Sequence, residues 1–156
     1  MVASPPQVEP AAAAHRDALA ALPLFEGLDA AELNEVAAAA RSRTLAPGRC
    51  AYRRGEEAEG LYLVLAGRLE VVRIDDDGGE RRLGELSPGD VFGEGALLEA
   101  RSHTAEVRAA EPSEVLAVPR AALDRVFARH PARRLRLRTL SVTRRLAKVS
   151  AALRGG

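Results

Sequence analysis

The chain has 156 residues, of which 47% are hydrophobic and 29% charged, with a formal net charge of +1. These values match one folded domain and exclude a wholly disordered chain. The single cysteine, Cys50, excludes an internal disulfide and CxxC-type zinc sites and fits a reducing cytoplasm, and no apolar run is long enough for a membrane helix.

Two helices are predicted near the N-terminus, after a Pro-rich tail over residues 1–10 that we expect to be disordered. The first covers residues 11–21 and is ended by Pro23. The second covers residues 30–41. Its start is marked by Asp29 as N-cap and by Glu32 three residues later, the spacing of a capping box.

The period then changes, and residues 44–118 read as short apolar runs separated by Gly-, Pro- and Asp-rich turns. The segment Asp77-Gly78-Gly79, between two such runs, is a hairpin signal. Strands at this spacing without intervening helices favour an antiparallel sandwich or barrel. The predicted fold class is therefore α+β, with residues 11–156 as one domain: an antiparallel β-roll, a jelly-roll-like barrel, flanked by N-terminal and C-terminal helices.

After the barrel the helical period returns, over residues 119–154. One helix is predicted from Pro119 to Pro131 and a longer one from residue 132 to 153. The longer helix carries a heptad seam, which either pairs with a second copy in a homodimer or packs back on its own barrel. The seam consists of Val142, Leu146, Val149 and Leu153.

Charge is unevenly placed, because residues 125–156 hold ten Lys and Arg side chains and no acid. This asymmetry indicates either a tail for an anionic partner or an internal match between two faces. Nucleic acid is the less favoured partner, since no aromatic residues interleave the basic ones and no recognition helix follows. We expect a protein partner.

The residues that could perform catalysis do not converge. The three histidines, His15, His103 and His130, lie in three separate segments, which argues against a metal site, and no GxSxG motif is present. The sequence therefore predicts a protein that is not an enzyme, with no catalytic residue, metal or cofactor.

The segment from Asp90 to Val107 carries the clearest binding signal. Gly93 and Gly95 flank Glu94, and a short helical turn is predicted over residues 96–99. Backbone N–H groups at the start of a helical turn can hold an anion, and these would come from Gly95, Ala96 and Leu97. Glu94 would accept a hydrogen bond from a neighbouring hydroxyl, so the pair fits a ribose phosphate. The alternative is that the glycines only form a β-turn.

The chain resembles the cyclic-nucleotide-binding domains of the catabolite activator protein, protein kinase A regulatory subunits and nucleotide-gated channels. The resemblance runs from about residue 22 to 153. It rests on PLFEGL (23–28), LYLVLAGRLEV (61–71), LSPGDVFGE (86–94), ALL (96–98) and TAEVRA (104–109).

The resemblance implies a phosphate-binding cassette from Phe92 to Val107. Glu94 would hold the ribose 2′-hydroxyl, and the backbone at Gly95 and Ala96 would bind the cyclic phosphate. The family's phosphate-neutralising Arg precedes a residue and then an Ala. Here His103, Thr104 and Ala105 occupy those three positions, with Thr104 where the family often contacts phosphate or base.

Three interpretations of the missing arginine follow. His103 protonates beside the phosphate; or Arg101, on the same side of a strand, reaches in instead; or the pocket binds no cyclic nucleotide. In the family the last helix closes over the base, which would bring Ser150 near a purine edge; a solvent-facing Ser150 is the alternative. We therefore predict a cAMP-type sensor whose terminal helices move on binding, with a ligand-free interaction module as the alternative. The chain would be a stand-alone module or part of a larger protein.

Overall fold

The computed structural model describes residues 10–94 and 102–133. Helices flank a run of eight strands within these residues, as predicted for an α+β β-roll. In chain order the elements are α1 (Pro10–Ala20), a 3-10 turn (Pro23–Phe25), α2 (Ala30–Ala39), β1 (Arg41–Leu45), β2 (Cys50–Tyr52), β3 (Gly60–Ala66), β4 (Leu69–Ile74), β5 (Glu80–Leu86), β6 (Val91–Phe92), β7 (Glu106–Ala109), β8 (Ser113–Pro119) and α3 (Arg120–Arg129).

The strands form two four-stranded antiparallel sheets. Sheet one has the order β1-β8-β3-β6 and sheet two the order β2-β7-β4-β5. The chain passes from one sheet to the other between β1 and β2, between β2 and β3, and between β3 and β4. These crossings wrap the strands into a roll, which confirms the predicted β-roll.

Strand β3 separates two apolar cores because alternate side chains of a strand point to opposite faces. Leu61 and Leu63 pack with the helices in what we call the helix-side core. Tyr62 and Val64 pack between the two sheets in what we call the inter-sheet core. The strand is therefore apolar on both faces, and its sequence lacks the polar–apolar alternation of a strand with one solvent-exposed face.

The start of α2 follows the predicted cap, with one difference. The backbone N–H of Glu32 donates to Oδ1 of Asp29 at 2.8 Å, so Asp29 is the N-cap as predicted. The Glu32 carboxylate lies 2.7 Å from Nε2 of His130, which follows α3. Glu32 thus joins two distant helices through its side chain.

The end of α2 was predicted two residues too late. The helix ends at Ala39, Ala40 is already extended (φ −70°, ψ 148°), and Arg41 begins β1. Four of the five β1 side chains are exposed, so this strand has no apolar alternation that would reveal it in the sequence. Its position is fixed instead by pairing with β8, from Arg41 opposite Ala117 to Leu45 opposite Ser113.

The predicted hairpin turn is confirmed between β4 and β5. The N–H of Asp75 donates to the carbonyl of Gly79 at 2.8 Å, and the N–H of Gly78 donates to the carbonyl of Asp75 at 2.9 Å. Gly78 has φ +85°, which explains the requirement for glycine at the tip.

Charged contacts join the helix after the barrel to the helices before it. Arg125 and Arg129 each pair with Glu35 of α2, at 3.1 Å and 3.2 Å. Arg133 is only 8% exposed, and its Nη1 donates to the carbonyl of Leu24 at 2.7 Å. For Arg125 and Arg129 the charge asymmetry is an internal match.

Several predicted features lie outside the described residues. They are residues 1–9 of the predicted tail, the helical turn at 96–99 and the terminal helix beyond residue 133; residues 131–133 are helical. The last residue of the predicted tail, Pro10, is not disordered but begins α1. Among the described helices, none combines the length and apolar character that crossing a lipid bilayer requires.

Candidate functional site

The predicted cassette begins where β6 ends, at Gly93 and Glu94. Gly93 has φ +86°, and a Cβ built on it would lie 3.1 Å from Cδ2 of Tyr62 and 3.6 Å from the carbonyl oxygen of Gly60. A larger residue would be strained by its backbone and crowded by the tyrosine ring. Glu94 follows as a helical residue and is only 5% exposed. The glycine thus fixes where Glu94 leaves the sheet.

An aromatic cluster lies beneath this turn. It gathers both tyrosines and one of the three phenylalanines of a chain that has no tryptophan. The Tyr62 and Phe92 rings are stacked, with centroids 5.1 Å apart, and Tyr52 lies 5.5 Å from Tyr62 and 5.9 Å from Phe92. Such contacts hold ring positions more firmly than aliphatic packing does. The cassette therefore begins next to a rigid apolar surface formed by this aromatic cluster.

His103 is tied to the loop between β2 and β3 by two backbone hydrogen bonds. Its N–H donates to the carbonyl of Glu56 at 2.9 Å, and its carbonyl accepts from the N–H of Gly55 at 2.8 Å. A β-bridge between Glu57 and Ser102 lies beside them. The end of the cassette is therefore held against this loop, independently of any ligand.

The His103 imidazole is buried and neutral at pH 7. It is 4% exposed and stacks on Tyr52 with centroids 3.4 Å apart and planes 9° apart. Burial lowers the pKa of His103, while the Glu56 carboxylate acts weakly in the opposite direction. Because the ordinary histidine pKa of about 6.5 already lies below 7, the lowered value leaves the ring uncharged. These observations weigh against a protonated His103 in the unliganded protein.

The His103 ring also carries a polar atom with no protein partner. Its Nε2 is buried and makes no hydrogen bond to any described residue. A buried polar atom without a partner costs free energy unless something else satisfies it. Nε2 is thus a buried polar atom whose hydrogen-bonding capacity the described residues leave unused.

The two residues after His103 differ in exposure. Thr104 is exposed, and Ala105 is half-buried against the inter-sheet core. Thr104 is thus open to a molecule approaching from solvent, whereas Ala105 belongs to the wall of the roll.

The structure brings together part of the predicted site. Phe92, Gly93 and His103 all adjoin the tyrosine pair, and Glu94 follows directly. Other predicted site residues lie outside the described residues, and so does the predicted dimer seam. They are Gly95, Ala96, Leu97, Arg101 and Ser150 for the ligand, and Val142, Leu146, Val149 and Leu153 for the seam.

Sequence reasoning missed the two tyrosines and Glu56. Tyr52 forms the stacking face for His103, Tyr62 limits residue 93 to glycine, and Glu56 holds the His103 backbone. One signal was present in the sequence. The chain has only two tyrosines, and both lie on strands of the barrel.

Comparison with known proteins places these residues in a family. A family model for the cyclic nucleotide-binding domain matches residues 42–130. The chain is 36% identical over 88 residues to the cAMP-dependent protein kinase regulatory subunit of Blastocladiella emersonii, covering 56% of this chain and 22% of that protein. It is 34% identical over 96 residues to the cyclic AMP receptor protein of Thermus thermophilus, covering 62% of this chain and 44% of that protein. The chain therefore spans less than half the length of these two relatives.

Solved structures show the same fold. The sensor domain of the transcriptional regulator DNR from Pseudomonas aeruginosa matches with a TM-score of 0.76 at 24% identity, covering 89% of this chain and 93% of that one. The regulatory subunit of a cAMP-independent protein kinase A from Trypanosoma brucei matches with a TM-score of 0.61 at 32% identity, covering 76% and 47%. A triple mutant of the Trypanosoma subunit, in which one change introduces an arginine, is described as bound to cAMP in the A site.

Proposed function

This chain belongs to the cyclic nucleotide-binding domain family, and we propose that it is a regulatory sensor module that binds a cAMP-type cyclic nucleotide at the cassette beginning at Gly93. Glu94 would accept a hydrogen bond from the ribose 2′-hydroxyl. The backbone N–H groups of Gly95, Ala96 and Leu97 would hold the cyclic phosphate. The observation that carries this proposal is the Gly93–Glu94 turn, where a positive φ and a crowded Cβ position require glycine and place a buried glutamate directly after β6, at the start of the cassette.

The neutral His103 determines how strong such binding would be. An uncharged imidazole contributes about 0.5–1.5 kcal/mol through one hydrogen bond, whereas hydrogen bonds to a charged group contribute about 1.5–3 kcal/mol. Replacing the family's arginine by His103 would therefore weaken nucleotide binding by about tenfold or more. The unpartnered Nε2 supports a direct contact between His103 and the ligand.

The helices that flank the barrel would transmit the binding signal. Arg133 and the salt bridges to Glu35 connect the segment after the barrel to α2 and to the 3-10 turn. A ligand that bound more tightly when the terminal helix closes over it would shift the population toward the closed form. Dimerisation through the Val142 to Leu153 seam, and an interaction module without ligand, remain alternative outcomes.

A second ligand class is a nucleoside without a phosphate. One support is the lowered pKa of His103, which leaves an uncharged ring at the arginine position. The other is the Trypanosoma subunit, which is described as cAMP-independent, whereas its variant with an introduced arginine is described as bound to cAMP. A neutral ring stacked on Tyr52 would leave a phosphate charge uncompensated unless Arg101 approached it.

Calorimetry with cAMP, cGMP, adenosine and guanosine at pH 6 and pH 8 tests these alternatives. We expect cAMP binding of similar strength at both pH values, because burial lowers the pKa of His103 and disfavours its protonated form. Binding that weakens at pH 8 would indicate that the phosphate protonates His103, and binding lost in Arg101→Ala would assign the charge to Arg101. If no nucleotide or nucleoside at millimolar concentration produces heat or a thermal shift, the sensor proposal is wrong and the interaction module replaces it.

A further inference from the structure

A concave site lies at the seam where the two sheets meet, outside the cassette. It is a depression of about 430 Å³ between β1 and β2, which are edge strands of sheet one and sheet two. Its lining includes Arg43, Arg49, Cys50, Tyr52, Arg53 and Glu56. We call it the seam groove. Small-molecule sites in proteins typically have volumes of about 300–1,000 Å³, so the groove is large enough for a small ligand.

The Arg43 side chain is held in place by hydrogen bonds to backbone carbonyls of β2. Nη1 of Arg43 donates to the carbonyl of Ala51 at 2.9 Å, and its Nη2 donates to the carbonyl of Cys50 at 3.4 Å. These two bonds hold the guanidinium across the seam.

The Arg49 backbone is held equally well. Its N–H donates to the carbonyl of Ala46 at 3.0 Å, and its carbonyl accepts from the N–H of Ala109 at 2.8 Å. Arg53 directly follows β2 and begins a turn closed by a hydrogen bond from the N–H of Glu56 to the carbonyl of Arg53, at 3.2 Å. A guanidinium on a rigid backbone loses less freedom when it binds a ligand.

The positive charge of the seam groove is only partly matched by negative charge in the described part of the chain, since Glu56 lines the groove and the Glu106 carboxylate lies 3.8 Å from Sγ of Cys50. Arg43, Arg49 and Arg53 take part in none of the ion pairs there, although arginines on strands β4, β5 and β7 and on α3 pair with carboxylates. Glu56 is the one acidic residue among the lining side chains. Three like charges around a concave surface produce a focused positive potential that favours an anion. Arginine is also the side chain best shaped for phosphate and carboxylate groups.

We propose that the seam groove binds a small anionic molecule through Arg43, Arg49 and Arg53, with the anion a phosphate or a carboxylate. The concave shape and limited volume favour a small molecule over the extended contact surface of an acidic protein. This site is separate from the cassette and does not depend on cyclic-nucleotide binding. Tyr52 and Glu56 border both, since Tyr52 stacks on His103 and Glu56 hydrogen-bonds the His103 backbone.

The test is an amide chemical-shift titration of the full chain with inorganic pyrophosphate and, separately, citrate, at constant ionic strength. We expect saturable shifts confined to amides of residues 43–53 with at least one of the two anions. The double variant Arg49→Gln/Arg53→Gln should bind at least tenfold more weakly. Both side chains are exposed, so the variant should remain folded, which its amide spectrum will show. The control is Arg81→Gln, which removes one positive charge, against two in the double variant, from an exposed site on β5 at the opposite edge of sheet two. It should bind within twofold of the unmodified chain.

Comparison of the two anions assigns the chemistry. Binding of pyrophosphate alone indicates a phosphate ligand, and binding of citrate alone indicates a carboxylate ligand. The proposal is overturned if the shifts do not saturate with either anion, or if Arg81→Gln weakens binding as much as the double variant. Shifts at Gly93 and Thr104 instead of residues 43–53 would also overturn it, by placing the anion in the cassette.

Discussion

Substitution of Gly93 by alanine tests whether the cassette turn depends on glycine. At φ +86° an alanine costs about 1–2 kcal/mol relative to an allowed backbone conformation. Its Cβ would lie 3.1 Å from Cδ2 of Tyr62, inside the optimal carbon–carbon separation of about 3.5–4.0 Å, and such overpacking costs about 1–3 kcal/mol. Tyr62 is held by Tyr52 and Phe92 and has little room to retreat. We therefore expect the free energy of unfolding to fall by about 2–5 kcal/mol.

Urea and thermal unfolding measure this loss, with Gly89→Ala as the matched control. Gly89 has φ +93°, but a Cβ there meets no atom within 4 Å, so this variant carries the backbone strain without the crowding. Both alanines reduce the freedom of the unfolded chain equally, and that contribution cancels in the comparison. If Gly93→Ala is no more destabilising than Gly89→Ala, the aromatic cluster can move aside, and Tyr62 does not crowd a side chain at position 93. If Gly93→Ala is destabilised but binds cAMP as well as the unmodified chain does, the turn does not position Glu94.

Three further predictions concern His103 and Arg133. The variant His103→Arg should bind cAMP at least about tenfold more tightly by calorimetry, because a permanent charge replaces a neutral ring; unchanged affinity would contradict a phosphate at this position. Stability should fall as pH decreases through about 6.5, by at most about 1.4 kcal/mol per pH unit from this group, because the unfolded chain binds a proton that folded His103 resists. Urea unfolding from pH 7.5 to 5 should show this slope reduced in His103→Gln, and an equal slope in both would assign it to other groups. The variant Arg133→Ala should lose about 2–3 kcal/mol, since it leaves the Leu24 carbonyl without its donor, whereas exposed Arg81→Ala should change stability by less than about 0.5 kcal/mol in the same urea measurement.

The parts of the fold that the sequence predicted correctly are those set by local chemistry. The Asp29 cap and the turn at Gly78 each depend on side chains or φ values within a few residues. The end of α2 was missed because β1 gains its stability from pairing with β8, some 70 residues away, and its exposed side chains carry no apolar period. Glu32 was expected to complete a capping box, but its carboxylate contacts His130, which lies 98 residues further along.

The candidate site divides in the same way. Gly93 and Glu94 were identifiable because their spacing is a local motif, and the structure shows the positive φ that requires the glycine. The state of His103 depends on burial and on stacking against Tyr52, a residue about 50 positions earlier, and no local pattern reveals either. The seam groove likewise combines arginines whose shared surface exists only once two edge strands of different sheets meet.

The pairing of β1 with β8 has a consequence for how the protein is made. Arg41 lies opposite Ala117, so a nascent chain must emerge from the ribosome past residue 117 before the first strand finds its neighbour. Contacts this distant in sequence are formed slowly, and folds rich in them fold in milliseconds to seconds. During translation residues 41–45 therefore remain unpaired until β8 has been made. The two arginines of this segment, Arg41 and Arg43, carry positive charge, which discourages pairing with strands of other chains.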